Sequence, residues 1–292
     1  MSTLTREPEK ARPPSRRSPQ LSQNLQQRWV TALVFGPVVL ILVGLGGWWF
    51  FGLALALATI GVLEFCNLGR NRQIHARSAV AVAATVAVLM GVILRQTEVV
   101  FAAFPAAFII AFIWSLLARH RTQAALLDAV MTAAAPLYVA LPAGILVHIR
   151  MLEPNGLTWL LLVIFLTWGT DSLAYFGGRA WGRTLLAPRI SPKKTLEGAI
   201  VGVSGGFIVG LVLVLIAGVF SPSLLPVLIL GPLTAVVGDL SESALKRAFD
   251  VKDSHLSHFN LFPGHGGVLD RTDALILVTW LCFMVYLVLG IV

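Results

Sequence analysis

Between Gly238 and Asp273 the chain carries Asp239, Glu242, Ser243, Lys246, Arg247, Lys252, Asp253, the run Pro263-Gly264-His265-Gly266-Gly267, and then Asp270, Arg271 and Asp273. Carboxylates, cationic side chains and a glycine loop at this density are the parts needed to hold a divalent cation and a polyphosphate. Asp270 and Asp273 stand three apart, so on a helix both carboxylates face one way. Asp239 closes the preceding apolar segment at the same end. Three carboxylates converging from two helix ends make a hard-oxygen site suited to Mg²⁺. The alternative is charge balance, with the same acids serving as partners for Lys246, Arg247 and Arg271.

A second group precedes these residues. In Ser191-Pro192-Lys193-Lys194-Thr195-Leu196-Glu197-Gly198, two lysines and two hydroxyls lead into a new apolar segment. Backbone amides and the positive dipole end at a helix start favour a phosphate there, whereas a Lys-Lys pair alone is ordinary membrane-flanking charge. Gly264 to Gly267 form a loop where backbone can approach a ligand. His265 within it can donate to a phosphate or act as an acid, and a plain turn is the competing reading. Asp171 lies inside an apolar segment with Ser172 beside it and Tyr175 one turn on. A carboxylate there needs a cation, a metal or water, so it reads as a wall of the polar cavity or as a partner for Arg179.

The elements that must position these groups are membrane helices. The 292 residues are 57% hydrophobic and only 12% charged, which excludes a soluble domain. Apolar segments run over 29–45, 48–66, 79–94, 99–117, 126–149, 157–176, 199–220, 224–237 and 274–292, each near the length of a span. Gly46 and Gly47 split the first pair, and Pro226 and Pro232 make the eighth segment short and prone to a kink. The expected fold is therefore all-α, a polytopic transmembrane bundle of about nine spans. With the N-terminus in the cytoplasm, only Arg95 and Arg150 of the 22 lysines and arginines fall on the outer side. The net charge of +8 then reflects positive-inside bias and anionic lipid and not nucleic acid. Residues 1–27 read as a disordered basic cytoplasmic tail without a signal-peptide core, and residues 28–292 as one membrane domain with its motifs in 168–273. Cys66 and Cys282 lie in apolar runs and read as packing residues.

These blocks together resemble the bacterial phosphatidate cytidylyltransferases. The likeness lies in Ser243, Lys246-Arg247, Lys252-Asp253, Pro263 to Gly267, Asp270-Arg271 and Asp273, preceded by Gly238-Asp239 with Glu242. It extends to the Asp171/Ala174/Tyr175/Gly178/Gly182 pattern, the Ser191–Gly198 block and Arg28 to Ala32. The resemblance implies transfer of CMP from CTP to phosphatidate in phospholipid biosynthesis, at a site facing the cytoplasm from the inner membrane. It implies Mg²⁺ on Asp239, Asp270 and Asp273, with room for a second cation. Lys246, Arg247, His265 and Arg271 would complete the catalytic set. Asp171, Ser191, Lys193, Lys194, Thr195, Glu242, Ser243, Lys252, Asp253, Gly266 and Gly267 would bind substrate, and a homodimer is the form it suggests. The chain departs from the pattern at 255–262, where the family has a shorter loop; His255 and His258 there read as surface residues. A related enzyme acting on another lipid phosphate is one alternative. An ion-coupled transporter is another, although the inverted repeat it calls for is not visible.

Overall fold

The computed structural model describes residues 36–119, 121–251, 254 and 267–291. His265, Gly266, Lys252, Asp253 and the 255–262 loop lie outside them. The chain forms α1 (Gly36–Leu45), α2 (Gly47–Leu68), α3 (Ser78–Ile93), α4 (Thr97–Arg119), α5 (Thr122–Ala135) and α6 (Leu141–Arg150). Then follow α7 (Gly156–Trp181), strands β1 (Leu185–Ala187) and β2 (Ser191–Thr195), α8 (Leu196–Ile216), α9 (Leu225–Ala248) and α10 (Leu269–Val288). A π-helical turn, Pro136–Ala140, joins α5 to α6, so Thr122 to Arg150 is one continuous rod. Among the described residues seven helices are long and apolar enough to cross a membrane, while α1 and α3 are shorter apolar helices.

Within the described residues the apolar segments of the sequence fall on these helices, that of 126–149 being shared by α5, the π-helical turn and α6. Their apolar residues run all round the cylinder, as expected where one side packs on protein and the other meets lipid. Ile109, Ile113 and Leu117 on α4, and Ile208, Val212 and Ile216 on α8, remain exposed and form such outer faces. Inside, the hydroxyls of Thr85, Thr167, Thr170 and Thr279 donate to carbonyls four residues earlier, which removes the cost of burying them. Cys66 and Cys282 are buried free thiols.

The turn between α1 and α2 shows why the chain can double back. Gly46 and Gly47 adopt φ of 65° and 50°, a region costly for any residue with a Cβ. The Arg150 guanidinium donates to the carbonyls of Val43 (2.9 Å) and Gly44 (2.8 Å), satisfying the open end of α1.

Three features differ from expectation. Pro226 sits in the first turn of α9 and Pro232 inside it, yet the helix continues for 24 residues. It also runs past the apolar segment to Ala248, so Asp239, Glu242, Ser243, Lys246 and Arg247 are helical and not part of a 238–273 loop. Good helix formers there (Leu240, Ala244, Leu245) prolong the ladder once hydropathy has dropped. Finally, Ser191–Thr195 is an edge strand paired antiparallel with β1, a small sheet inside an otherwise helical bundle.

Candidate active site

The site assembles where α7, β2, α9 and α10 meet at one end of the bundle. On α9, Asp239, Glu242 and Lys246 are spaced three and four apart and share a face. Gly238 brings that face against α10. A Cβ at Gly238 would stand 2.9 Å from Ala274 Cα and 3.2 Å from the Asp273 carbonyl oxygen, so only glycine fits.

Lys194 reaches the same place by a different route. Within β2, Lys193 is exposed while Lys194 is half-buried. The strand is held by Glu197, which accepts the amides of Arg183 (3.0 Å) and Thr184 (3.1 Å). Thr195 caps α8, its Oγ1 accepting the Gly198 amide at 3.2 Å. Below it, Gly198, Gly202, Gly206 and Gly210 form the buried stripe of α8. A Cβ at Gly202 would stand 2.6 Å from Ala174 Cβ, so α8 lies directly on α7, the helix of Asp171.

The charged groups fall into two adjoining clusters. In the first, Lys194 is ion-paired with Asp239, and Asp171 and Asp273 lie within electrostatic reach of both. Asp273 is buried, its Oδ1 accepting the Ala274 amide at 2.7 Å. In the second, Lys246 Nζ stands 2.8 Å from Glu242 Oε2 and 2.8 Å from Asp270 Oδ1. The other Asp270 oxygen accepts the amides of Gly267 (3.0 Å) and Ser254 (3.4 Å). Asp273 neighbours Glu242 and so joins the clusters electrostatically.

Of the three acids expected to share a cation, Asp239 and Asp273 are brought together and Asp270 is turned to Lys246. Among the described residues no three His, Cys, Asp or Glu side chains gather tightly enough to form a ready metal cage. The donor chemistry nevertheless fits a hard cation. Asp171, Asp239, Glu242, Asp270 and Asp273 face two lysines, Lys194 and Lys246. Glu242 Oε1 is buried without a hydrogen-bond partner among the described residues. Glu242 and Asp273 are buried, Asp239 and Asp270 half-buried and Asp171 exposed. Buried negative charge such as that of the first two is stabilised when a cation joins it.

The remaining expected residues spread outward from this centre. Ser191 and Ser243 are half-buried beside it. Arg247 is exposed at the end of α9, its Nη1 3.5 Å from the Val251 carbonyl. Arg179 turns to the Tyr175 hydroxyl at 3.4 Å, and Asp171 finds its neighbours in Lys194 and Asp239. Arg271 and Thr272 border an apolar cavity of about 730 Å³ between α1, α2, α6, α7 and α10. Two residues outside the motifs also belong here. Tyr138, on the π-helical turn, lies within reach of Glu242, Asp273 and Lys246. Glu64 of α2 is buried and contacts the start of α10. A lone acid in an apolar run is itself a functional signal, and Glu64 carries it.

The described residues thus form a bundle of apolar helices with carboxylates and lysines gathered at one end. Residues 26–289 match the model of the cytidylyltransferase family, and the chain belongs to that family. It is 34% identical over 262 residues to a phosphatidate cytidylyltransferase of Brucella abortus, covering 89% of this chain and 93% of the relative. The enzyme of the same name from Pseudomonas aeruginosa is 36% identical over 278 residues, covering 86% and 93%. That of Bacillus subtilis is 40% identical over 150 residues, covering 49% and 53%.

Proposed function

We propose that this chain transfers CMP from CTP to phosphatidate, yielding CDP-diacylglycerol and pyrophosphate. Family membership and the names of its relatives support the reaction. The structural observation that carries it is the surplus of carboxylates over lysines where α7, α9 and α10 converge on Lys194. A phosphatidate oxygen attacks the α-phosphorus of CTP, a new P–O bond forms, the α–β bridge breaks and pyrophosphate departs. The attacking oxygen is already anionic near neutral pH, so positioning and charge neutralisation are what this chain must supply.

Lys194 and Lys246 each sit on a carboxylate and can turn to a phosphate oxygen without leaving the site. Asp270 orients Lys246. Asp239 and Asp273 would hold Mg²⁺, with Asp171 beside them and Asp270 one turn away on α10. Bound there, the ion would neutralise charge on the phosphates. Arg271 stands where the polar site meets the 730 Å³ apolar cavity, a place that suits a lipid phosphate whose acyl chains lie against Val43, Leu160 and Ile164. Topology belongs to the same proposal: nine crossings, α1 and α3 among them, with the N-terminus and the site on the cytoplasmic side.

Purified protein supplied with phosphatidate, CTP and Mg²⁺ should form CDP-diacylglycerol, detectable by mass spectrometry, and ATP or GTP should not replace CTP. Equal product from a different lipid phosphate, with phosphatidate inert, would instead make it a relative with another lipid acceptor.

A further inference from the structure

Glu64 lies in the apolar run of α2, far in sequence from every motif, and is 3% exposed. Its carboxylate accepts the Leu269 amide at 2.7 Å on Oε2 and the Val268 amide at 3.0 Å on Oε1. The Ser254 hydroxyl stands 3.5 Å from Oε2. Leu269 opens α10 and Val268 precedes it without a side-chain cap of its own. The first amides of a helix have no partner within it. Here another helix supplies the acceptor, with its negative charge at the positive end of the α10 dipole.

The same point gathers both ends of the segment 255–266. Ser254 precedes it and Gly267 follows it, and the amides of both donate to Asp270 Oδ2. A Cβ at Gly267 would fall 2.5 Å from Glu64 Oε2 and 2.5 Å from Ser254 Oγ. Glycine at 267 is therefore what lets the backbone close on the carboxylate. Among the described residues Glu64 is not an ion-pair partner of Lys194 or Lys246. It acts through the backbone of α10, with Asp270 also within electrostatic reach.

We infer that Glu64 is a positioning residue: from α2 it clasps Ser254, Val268 and Leu269 together, and so fixes where Asp270, Arg271 and Asp273 stand for the cytidylyl transfer proposed above. Glutamine at 64 would turn one amide group toward a backbone N–H, donor against donor. Aspartate would keep both acceptor oxygens but hold them one methylene short.

The test is Glu64→Gln and Glu64→Asp in the full chain, read by steady-state kinetics and by amide hydrogen exchange. Glu64→Gln should lower kcat by about tenfold or more with KM for CTP little changed. Exchange should quicken in 267–271 while α7 and α8 keep the parent's protection. Glu64→Asp should fall between the two on both readouts. A kcat close to the parent's, or unchanged exchange at Val268 and Leu269, would overturn the inference. So would uniformly faster exchange across the bundle, which marks a residue needed only for folding. Should Glu64→Gln fail to insert, Gly267→Ala presses on the same carboxylate without removing it and must give the same local exchange and kcat loss. Failure of the proposed reaction shows separately, as absence of product in the parent protein while the exchange difference persists.

Discussion

Lys194 and Asp239 form an ion pair that joins strand β2 to the second half of α9. Under the proposed function substrate binding would be an exchange of partners: Lys194 would turn to a phosphate, leaving Asp239 able to hold a cation. Lys194→Ala should raise KM for CTP by about 10–100-fold, the worth of one or two charge-assisted hydrogen bonds. Lys193→Ala should do far less, because that side chain is exposed. Initial-rate kinetics at varied CTP separates the two.

Lys246 stands 2.8 Å from buried Glu242 and 2.8 Å from half-buried Asp270, so its loss leaves Glu242 without its cation. Lys246→Met should lower stability by about 3–5 kcal/mol. Adding Glu242→Gln removes the stranded charge and should recover part of that loss. Thermal unfolding of the single and double variants in detergent measures the coupling.

Gly238 and Gly52 are both helical glycines with opposite surroundings. A Cβ at Gly238 would meet the backbone of α10 at 2.9 Å, while one at Gly52 would meet nothing within 4 Å. Gly238→Ala should cost about 1–3 kcal/mol by overpacking and depress activity by spreading Asp239 from Asp273. Gly52→Ala should be neutral or stabilising by up to about 1 kcal/mol. Activity and melting temperature of the two variants check this together.

The proposed function predicts metal dependence from the carboxylate surplus. Chelation should abolish product formation and added Mg²⁺ should restore it. Asp273→Asn should shift the Mg²⁺ concentration for half-maximal rate upward by about tenfold or more, as loss of a charged ligand does. Titration of activity with Mg²⁺ in both proteins is the measurement.

The helices were legible because hydropathy marks them, and the glycine and proline residues between them mark most of their ends. Asp171 and Lys194 could be assigned to the same membrane face as Asp239 because the alternation of spans dictates it. Which acid pairs with which lysine was not legible. That depends on the rotation of α9 against α10 and on the helix continuing beyond Val237, where hydropathy no longer reports it. The β1–β2 hairpin escaped because a five-residue polar strand carries little pattern. The glycine stripe on α8 was present at regular spacing, but its meaning depends on α7 lying opposite. Glu64 was hidden for a different reason: averaging over an apolar segment conceals one acid, and its partners lie 204 and 205 residues away.

The most direct measurement follows the phosphorus atoms of CTP. Protein in mixed micelles with phosphatidate and Mg²⁺ is given CTP labelled at the α-phosphate, and in a parallel reaction at the γ-phosphate. Transfer of CMP predicts that the α-label appears in the lipid phase and the γ-label in released pyrophosphate, each only when phosphatidate is present. Label entering lipid from the γ-position, or pyrophosphate released without phosphatidate, would contradict the account.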